Sequence, residues 1–231
     1  MKETDLAELV IAWLQDQHWE VYQEVKFSNG SNGNVADIVA VRNGLVWIIE
    51  CKTSMTFTVL AQANMWHSHF RSVAIPATIN YYDKGRGMSY QIAKDYLHLG
   101  IIEVRNDREV KEVFCAPVMR ENHEYTKKYY LPYLREEHKT FSKAGTKNGG
   151  YWTPYRQTIE EVKRFIYRNP GCTFKEIMNY IGRGHYSSTS SANSSLRIAL
   201  TSWESSWCKY ENTNGVMRFY FTEQTNDHHR M

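Results

Sequence analysis

What this chain has little of narrows its class before any motif is read. Its apolar runs, such as Leu9–Leu14 and Leu45–Ile49, stop after five or six residues. A membrane-spanning helix needs about 20, and a secretory leader needs an apolar stretch near the N-terminus, so neither is expected and the anticipated location is cytoplasmic. Only four cysteines occur, Cys51, Cys115, Cys172 and Cys208, widely spaced and with no C-x-x-C pair. That argues against a disulfide framework or a zinc site and for reduced, mostly buried thiols. The nine histidines show no metal-ligand rhythm, and His67, His69, His228 and His229 read as surface residues. Neither sign of charge dominates: the formal net charge is +3. Residues 1–150 carry 18 basic and 18 acidic side chains, residues 151–231 carry 10 and 7. The excess sits in the C-terminal third, which suits a nucleic-acid contact without demanding one.

What is present is ordinary for a globular protein. Of the 231 residues, 42% are apolar and 23% charged, enough for one large or two small domains with a sizeable core. The most informative stretch is Asp37-Ile-Val-Ala-Val-Arg-Asn-Gly-Leu-Val-Trp-Ile-Ile-Glu50-Cys-Lys52. It predicts two strands joined at Asn43-Gly44, a dipeptide suited to the positive φ angles of a type I′ turn. A two-residue loop sets Arg42 opposite Leu45, and every pair outward keeps a position sum of 87. Asp37 then faces Glu50. Cβ atoms of opposed residues lie about 5 Å apart, where two carboxylates repel by roughly 3 kcal/mol at an effective dielectric near 20. A hard divalent cation offsets that cost. Alternation along the strand brings Lys52 to the face of Glu50. A solvated strand edge would instead be surrounded by polar residues, whereas Ile38, Val39, Val41 and Leu45–Ile49 predict strands buried on both faces.

These residues resemble the signature of the PD-(D/E)XK nuclease superfamily: an acid, a hairpin, then acid-x-Lys. Here they are Asp37 and Glu50-Cys51-Lys52, with Val35-Ala36 where the family name has proline. The resemblance covers the first half of the chain and is nearest to compact resolvase-like members. It implies a restriction endonuclease-like α/β fold with a mixed central sheet flanked by helices, and Mg2+ or Mn2+ as cofactor. It also gives weight to Gln62 as a site residue on the helix expected over 58–70. The family draws a third acid from its first helix, which is expected here over residues 4–17 with Thr4 or Asp5 as cap and Leu6, Val10 and Leu14 inward. Glu3 continues that inward stripe, whereas Glu8 falls on the outer face with Ala12 and Gln15. Glu24, on the strand Glu20–Phe27, is a rival for the third ligand. The Cys51 backbone carbonyl would lend a further oxygen.

Order along the rest of the chain predicts a strand at Ser72–Ala77, a helix at Ser89–Leu99 and strands at Ile101–Arg105 and Glu109–Cys115, consistent with a mixed sheet. The loop Ser28–Asn34 leads into the site. Residues 1–120 read as the nuclease-like domain and 121–155 as a basic and aromatic linker. That linker interleaves Lys127, Lys128, Tyr129, Tyr130, Tyr133 and Arg135, and its clearest break is Lys143–Gly150. Residues 156–225 read as a second domain, and 226–231 as a tail. Helices at Thr158–Arg168, after Thr173 to Ile181, and at Ala192–Trp203, then a hairpin about Asn214-Gly215, resemble a winged helix-turn-helix. Its third helix would offer Ser190, Asn193, Ser194 and Arg197 to a DNA groove, with Leu196, Ile198, Leu200 and Trp203 inward and Lys209 and Arg218 near phosphates. Such domains also dock proteins.

Two functions follow. One is a metal-dependent DNA endonuclease, in which a divalent ion supplies an acidified water and Lys52 steadies developing charge; double-strand cutting by one small site would favour a homodimer. The other is a non-catalytic DNA-binding regulator on a nuclease-like scaffold, and for it a degraded acid site would be expected.

Overall fold

Alternating strands and amphipathic helices in the first half of the chain build one mixed sheet. The structure is a computed structural model and describes residues 1–27, 34–77, 87–106, 108–145 and 152–222. Most of the Ser28–Asn34 loop, residues 146–150 of the expected break, the 226–231 tail, His228 and His229 lie outside the described residues. The chain divides into two units, Met1–Trp152 and Thr153–Met231.

The first unit runs α1 (Glu3–Asp16), β1 (Glu20–Lys26), β2 (Val35–Arg42), β3 (Leu45–Cys51), α2 (Phe57–Asn64), β4 (Phe70–Pro76) and α3 (Met88–Gln91). It continues through β5 (Gly100–Val104), β6 (Val110–Phe114) and α4 (His123–Tyr129). The six strands lie side by side in chain order. β1, β2 and β3 pair antiparallel, β4 and β5 join parallel, and β6 closes antiparallel. Asn43 and Gly44 take φ of 51° and 77°, and Arg42 pairs with Leu45 and Ile38 with Ile49. This is the expected type I′ register, and β2 and β3 are buried on both faces.

One face of the sheet presents Ile38, Ala40, Trp47, Ile49 and Cys51 to Leu6, Val10 and Leu14 of α1. Each such aliphatic side chain contributes about 2 kcal/mol on burial. The other face carries two clusters. Val59, Leu60 and Ala63 of α2 pack with Val73, Ile75 and Ile101, while Val39, Val46 and Ile48 pack with Trp66 and Tyr130.

Several local expectations change. α1 begins one residue before Thr4, and Asp5 accepts the Lys2 backbone N–H at 3.3 Å rather than acting as the cap itself. α2 stops at Asn64, not residue 70, because residues 67–69 are claimed from the side: the Tyr130 hydroxyl accepts the His67 N–H, Thr126 Oγ1 donates to the His67 carbonyl, and Asn122 Nδ2 donates to the Ser68 carbonyl. His69, expected at the surface, is 2% exposed. Its Nδ1 accepts the Val46 N–H that projects past the start of β4, and its Nε2 meets His123 Nδ1 at 3.1 Å. Residues 121–145 pack within the first unit. Tyr130 is buried with its ring centroid 4.4 Å from that of Phe27, and Arg135 Nη1 donates to the Pro132 and Leu134 carbonyls.

The second unit comprises α5 (Pro154–Arg168), β7 (Cys172–Thr173), α6 (Phe174–Ile181), α7 (Thr189–Ile198), β8 (Cys208–Thr213) and β9 (Val216–Phe221). Thr153, Thr173 and Ser188 cap the three helices through side-chain oxygens. The strands form a small antiparallel sheet, with β9 between β7 and β8, and turn at Asn214 and Gly215 with φ of 53° and 79°. The core gathers Val162, Ile166, Ile177, Leu196, Leu200 and Phe219. Ile198 and Trp203, expected inside, are 50% and 67% exposed. Ile198 lies 200° round the helix from Leu196, and a π-helical turn over Ala199–Trp203 carries Trp203 outward.

Candidate active site

Continuing the β2–β3 register one pair beyond Ile38 and Ile49 brings Asp37 against Glu50. Both side chains are buried, at 9% and 3% exposure, and they lie close enough for Asp37 to raise the pKa of Glu50. Each is held by one fixed donor. The Cys51 N–H donates to Asp37 Oδ2 at 2.8 Å, and the Trp66 indole Nε1–H donates to Glu50 Oε1 at 2.7 Å. Lys52 Nζ stands 3.6 Å from Asp37 Oδ2 and 3.6 Å from Glu3 Oε2. The N-terminus of α1, the β2–β3 hairpin and the segment after α2 therefore converge on one spot.

The other candidates distribute around it. Glu8 is exposed, as expected, and pairs with Lys143 at 2.8 Å. Glu24 falls between the β1–β2 pairs Gln23–Ile38 and Val25–Ala36, so Asp37 is its register partner. A φ of 50° breaks the strand there, and the buried Glu24 carboxylate accepts the Gly145 N–H at 2.9 Å. Gly145 has φ of 79°, and a Cβ there would lie 2.8 Å from the Glu3 carbonyl carbon. Only glycine fits that turn, which rests against the first residue of α1. The Cys51 thiol is fully buried and its pKa is raised by burial, so this residue meets the site through its backbone. Gln62 lies one turn ahead of Trp66, half-buried, with Oε1 buried and without a hydrogen-bond partner. Leaving such an acceptor open costs about 1–3 kcal/mol.

The electrostatics follow from burial. Loss of water, then the neighbouring Asp37, pushes Glu50 up to about 8, against the opposing pull of the Trp66 N–H and Lys52. Burial likewise raises Asp37, opposed by Lys52 and the Cys51 N–H. Burial alone would lower Lys52, but Asp37, Glu3 and Glu50 outweigh it and raise its pKa. One ammonium is thus set against three carboxyl groups, and the cluster is short of positive charge. Among the described residues no three His, Cys, Asp or Glu side chains form a ready-made cation cage. The donor set nevertheless suits a hydrated hard cation, because Mg2+ binds through one or two carboxylates and keeps several waters. Asp37 and Glu50 offer those oxygens.

In the second unit, Ser190, Asn193, Ser194 and Arg197 are all exposed on α7, and Lys209 and Arg218 are exposed on β8 and β9. Asn193 Nδ2 and Ser194 Oγ donate back to the Thr189 and Ser190 carbonyls, while Arg218 Nη1 donates to the Gly171 carbonyl. Sequence reasoning missed Trp66, because nothing in a primary sequence marks which indole will reach an acid sixteen positions earlier. It also missed Lys175 and Arg183, which line a groove between α6 and α7. Searches of protein-family models, curated proteins and solved structures gave no match to this chain.

Proposed function

We propose that the chain is a divalent-metal-dependent DNA endonuclease of PD-(D/E)XK type, with a winged-helix DNA-binding domain in its second unit. The observation that carries this reading is the burial of Asp37 and Glu50 at neighbouring register positions, with Lys52 Nζ 3.6 Å from both Asp37 and Glu3. A fold does not retain two neighbouring buried carboxyl groups for stability's sake, since each costs free energy unless a cation or proton is supplied. Supporting it further are the placement of Glu50 and Lys52 at the end of β3 and the unpartnered Gln62 acceptor on α2. Mg2+ or Mn2+ would be held by Asp37 and Glu50, with Glu3 reaching the outer part of the shell, and would supply charge neutralisation and an acidified water. Lys52 would hold negative charge developing on the phosphate, a role suited to a compact ammonium. Trp66 and the Cys51 N–H each hold one carboxylate oxygen, which restricts how far the two groups can turn.

The test is cleavage of supercoiled plasmid with Mg2+ or Mn2+, comparing wild type with Glu50→Ala and Lys52→Ala. Metal-dependent nicking or linearisation that disappears in both variants is expected. Absence of cleavage on plasmid, single strands and four-way junctions, alongside intact DNA binding, would replace this reading with a non-catalytic regulator.

A further inference from the structure

The groove between α6 and α7 holds an arrangement that the base-reading role expected for α7 does not explain. Lys175, Arg183 and Arg197 line it together with Asn179 and Asn193, and no acidic side chain is among its lining residues. The neighbouring Glu176 is turned to the start of α6, where it accepts from the Thr173 backbone N–H and hydroxyl at 2.7 and 2.8 Å. Three cations converging without an acid repel one another, as the carboxylates of the first unit do, and the deficit is met by an anion from outside.

Two of the three cations are already held in place. The Arg197 guanidinium carbon lies 4.3 Å over the Phe174 ring, and its Nη1 contacts Met217 Sδ at 3.3 Å. Arg183 Nη1 donates to the Ser187 carbonyl at 3.3 Å. A guanidinium stacked on a ring keeps donors free at its edge but gives up the freedom a side chain needs to extend toward base edges. On α7 itself, Asn193 and Ser194 bond back to their own helix. Planar guanidinium forks beside an ammonium and two carboxamides match the oxygens of a phosphate group.

We propose that this groove is a phosphate clamp, built by Lys175, Arg183 and Arg197, that grips the backbone of a nucleic acid, and that Arg197 positions the duplex instead of reading a base. The proposal rests on the DNA-binding reading of the second unit and assigns different work to its residues. The same phosphate chemistry is offered by a free mononucleotide, which the experiment separates from a backbone.

The experiment measures binding of the full chain to a fluorescent duplex by anisotropy, in EDTA, across a salt series and with several duplex sequences. Lys175→Ala/Arg183→Ala and Arg197→Ala are each compared with wild type, and Arg197→Lys tests retention by a charge-conserving change. Each cation removed is expected to reduce the slope of log affinity against log salt by about one. The double variant should lose roughly tenfold in affinity by the same amount on every sequence, and Arg197→Lys should keep most of the slope. A change of sequence preference in Arg197→Ala with an unchanged salt slope overturns the assignment. So does a double variant that binds as wild type does. Displacement of the duplex by micromolar mononucleotide, with no dependence on duplex length, would make the groove a small-ligand site and overturn the backbone assignment. A wild-type chain that binds no duplex at all overturns the DNA-binding reading along with the clamp. An unchanged clamp variant in a DNA-binding chain overturns the clamp alone.

Discussion

Replacing Glu50 by Gln should make the metal-free protein more stable at alkaline pH, the reverse of the usual outcome for a buried charged residue. Glu50 is held at about 8 in the folded chain, against an ordinary 4.5, chiefly by burial and then by Asp37. Between those two values the native state keeps a proton that the unfolded chain releases. The stability this supplies is complete below pH 4.5 and is lost as pH rises through 8. From pH 5 to pH 8 the loss amounts to about 3 kcal/mol, or roughly 6–12 °C in melting temperature for a unit of this size. Buried His69 and His138, and the exposed His185, have pKa values lowered by partial loss of water. Their contribution has the opposite sign and is lost as pH falls through the ordinary histidine range, so the wild-type profile alone mixes the two. The difference between wild type and Glu50→Gln removes the histidines, because the amide leaves them untouched. Calorimetric melting in EDTA at half-unit steps from pH 5 to 8.5 gives that difference directly. Wild type should fall steeply relative to Glu50→Gln, and the variant should be the more stable protein above pH 7. Addition of Mg2+ at pH 8 should raise the wild-type melting temperature and leave the variant unmoved. Parallel profiles, or a variant less stable than wild type at pH 8, would refute the claim that Glu50 lacks a compensating charge.

Trp66→Phe keeps the ring in its cluster but removes the 2.7 Å donor to Glu50; Mn2+ affinity by titration calorimetry should fall about tenfold with little change in melting temperature. Gly145→Ala places a methyl 2.8 Å from the Glu3 backbone at a φ of 79°. The first unit should lose about 2 kcal/mol or more in denaturant melts, and Mn2+ binding should weaken as Glu3 is displaced. Phe219→Ala empties the largest fully buried position of the second unit, at a cost of about 3–5 kcal/mol. Hydrogen exchange should show that unit opening while the strands of the first stay protected.

The legible parts of the fold are those where a local rule fixes a distant contact. A two-residue Asn-Gly turn leaves one register open, and that register alone sets Asp37 against Glu50. A 3.6-residue stripe does the same for α1, where Leu6, Val10 and Leu14 are buried and Glu3 lies near Lys52. The parts that could not be read are those where a long-range partner overrides local pattern. Residues 121–145 look like a linker because their aromatics have no helical or strand period. Tyr130 nonetheless finds Phe27 and Trp66 about a hundred and about sixty positions away and becomes core. Glu24 has the alternation of a regular strand, yet the tight Gly145 turn draws its carboxylate and breaks the backbone. In the second unit, phase was lost within a single helix: a π-helical turn shifts the projection of every residue after Ile198, so Trp203 leaves the face that an unbroken α-helix would assign it.

The placement of the acids also follows from topology. β3 pairs antiparallel with β2 and parallel with β4, so the direction of pairing changes across this strand, as it does across β5. A parallel partner cannot be reached by a tight turn, and the chain must leave the end of β3, cross through α2 and return. The start of such a crossover, at the C-terminal end of a strand, is the kind of place where open α/β sheets accommodate ligands. Glu50 and Cys51 are the last two residues of β3, and Lys52 is the first beyond it. Trp66 is on the returning segment, with its N–H fixed on Glu50. Moved two residues earlier, Glu50 would lie at Ile48, between Val39 on β2 and Arg71 on β4, inside a continuous ladder with no crossover beside it. At the strand's end the same carboxyl has Asp37, Lys52 and the crossover around it. The proposed cation would relieve the cost of burying that carboxyl at this end of β3.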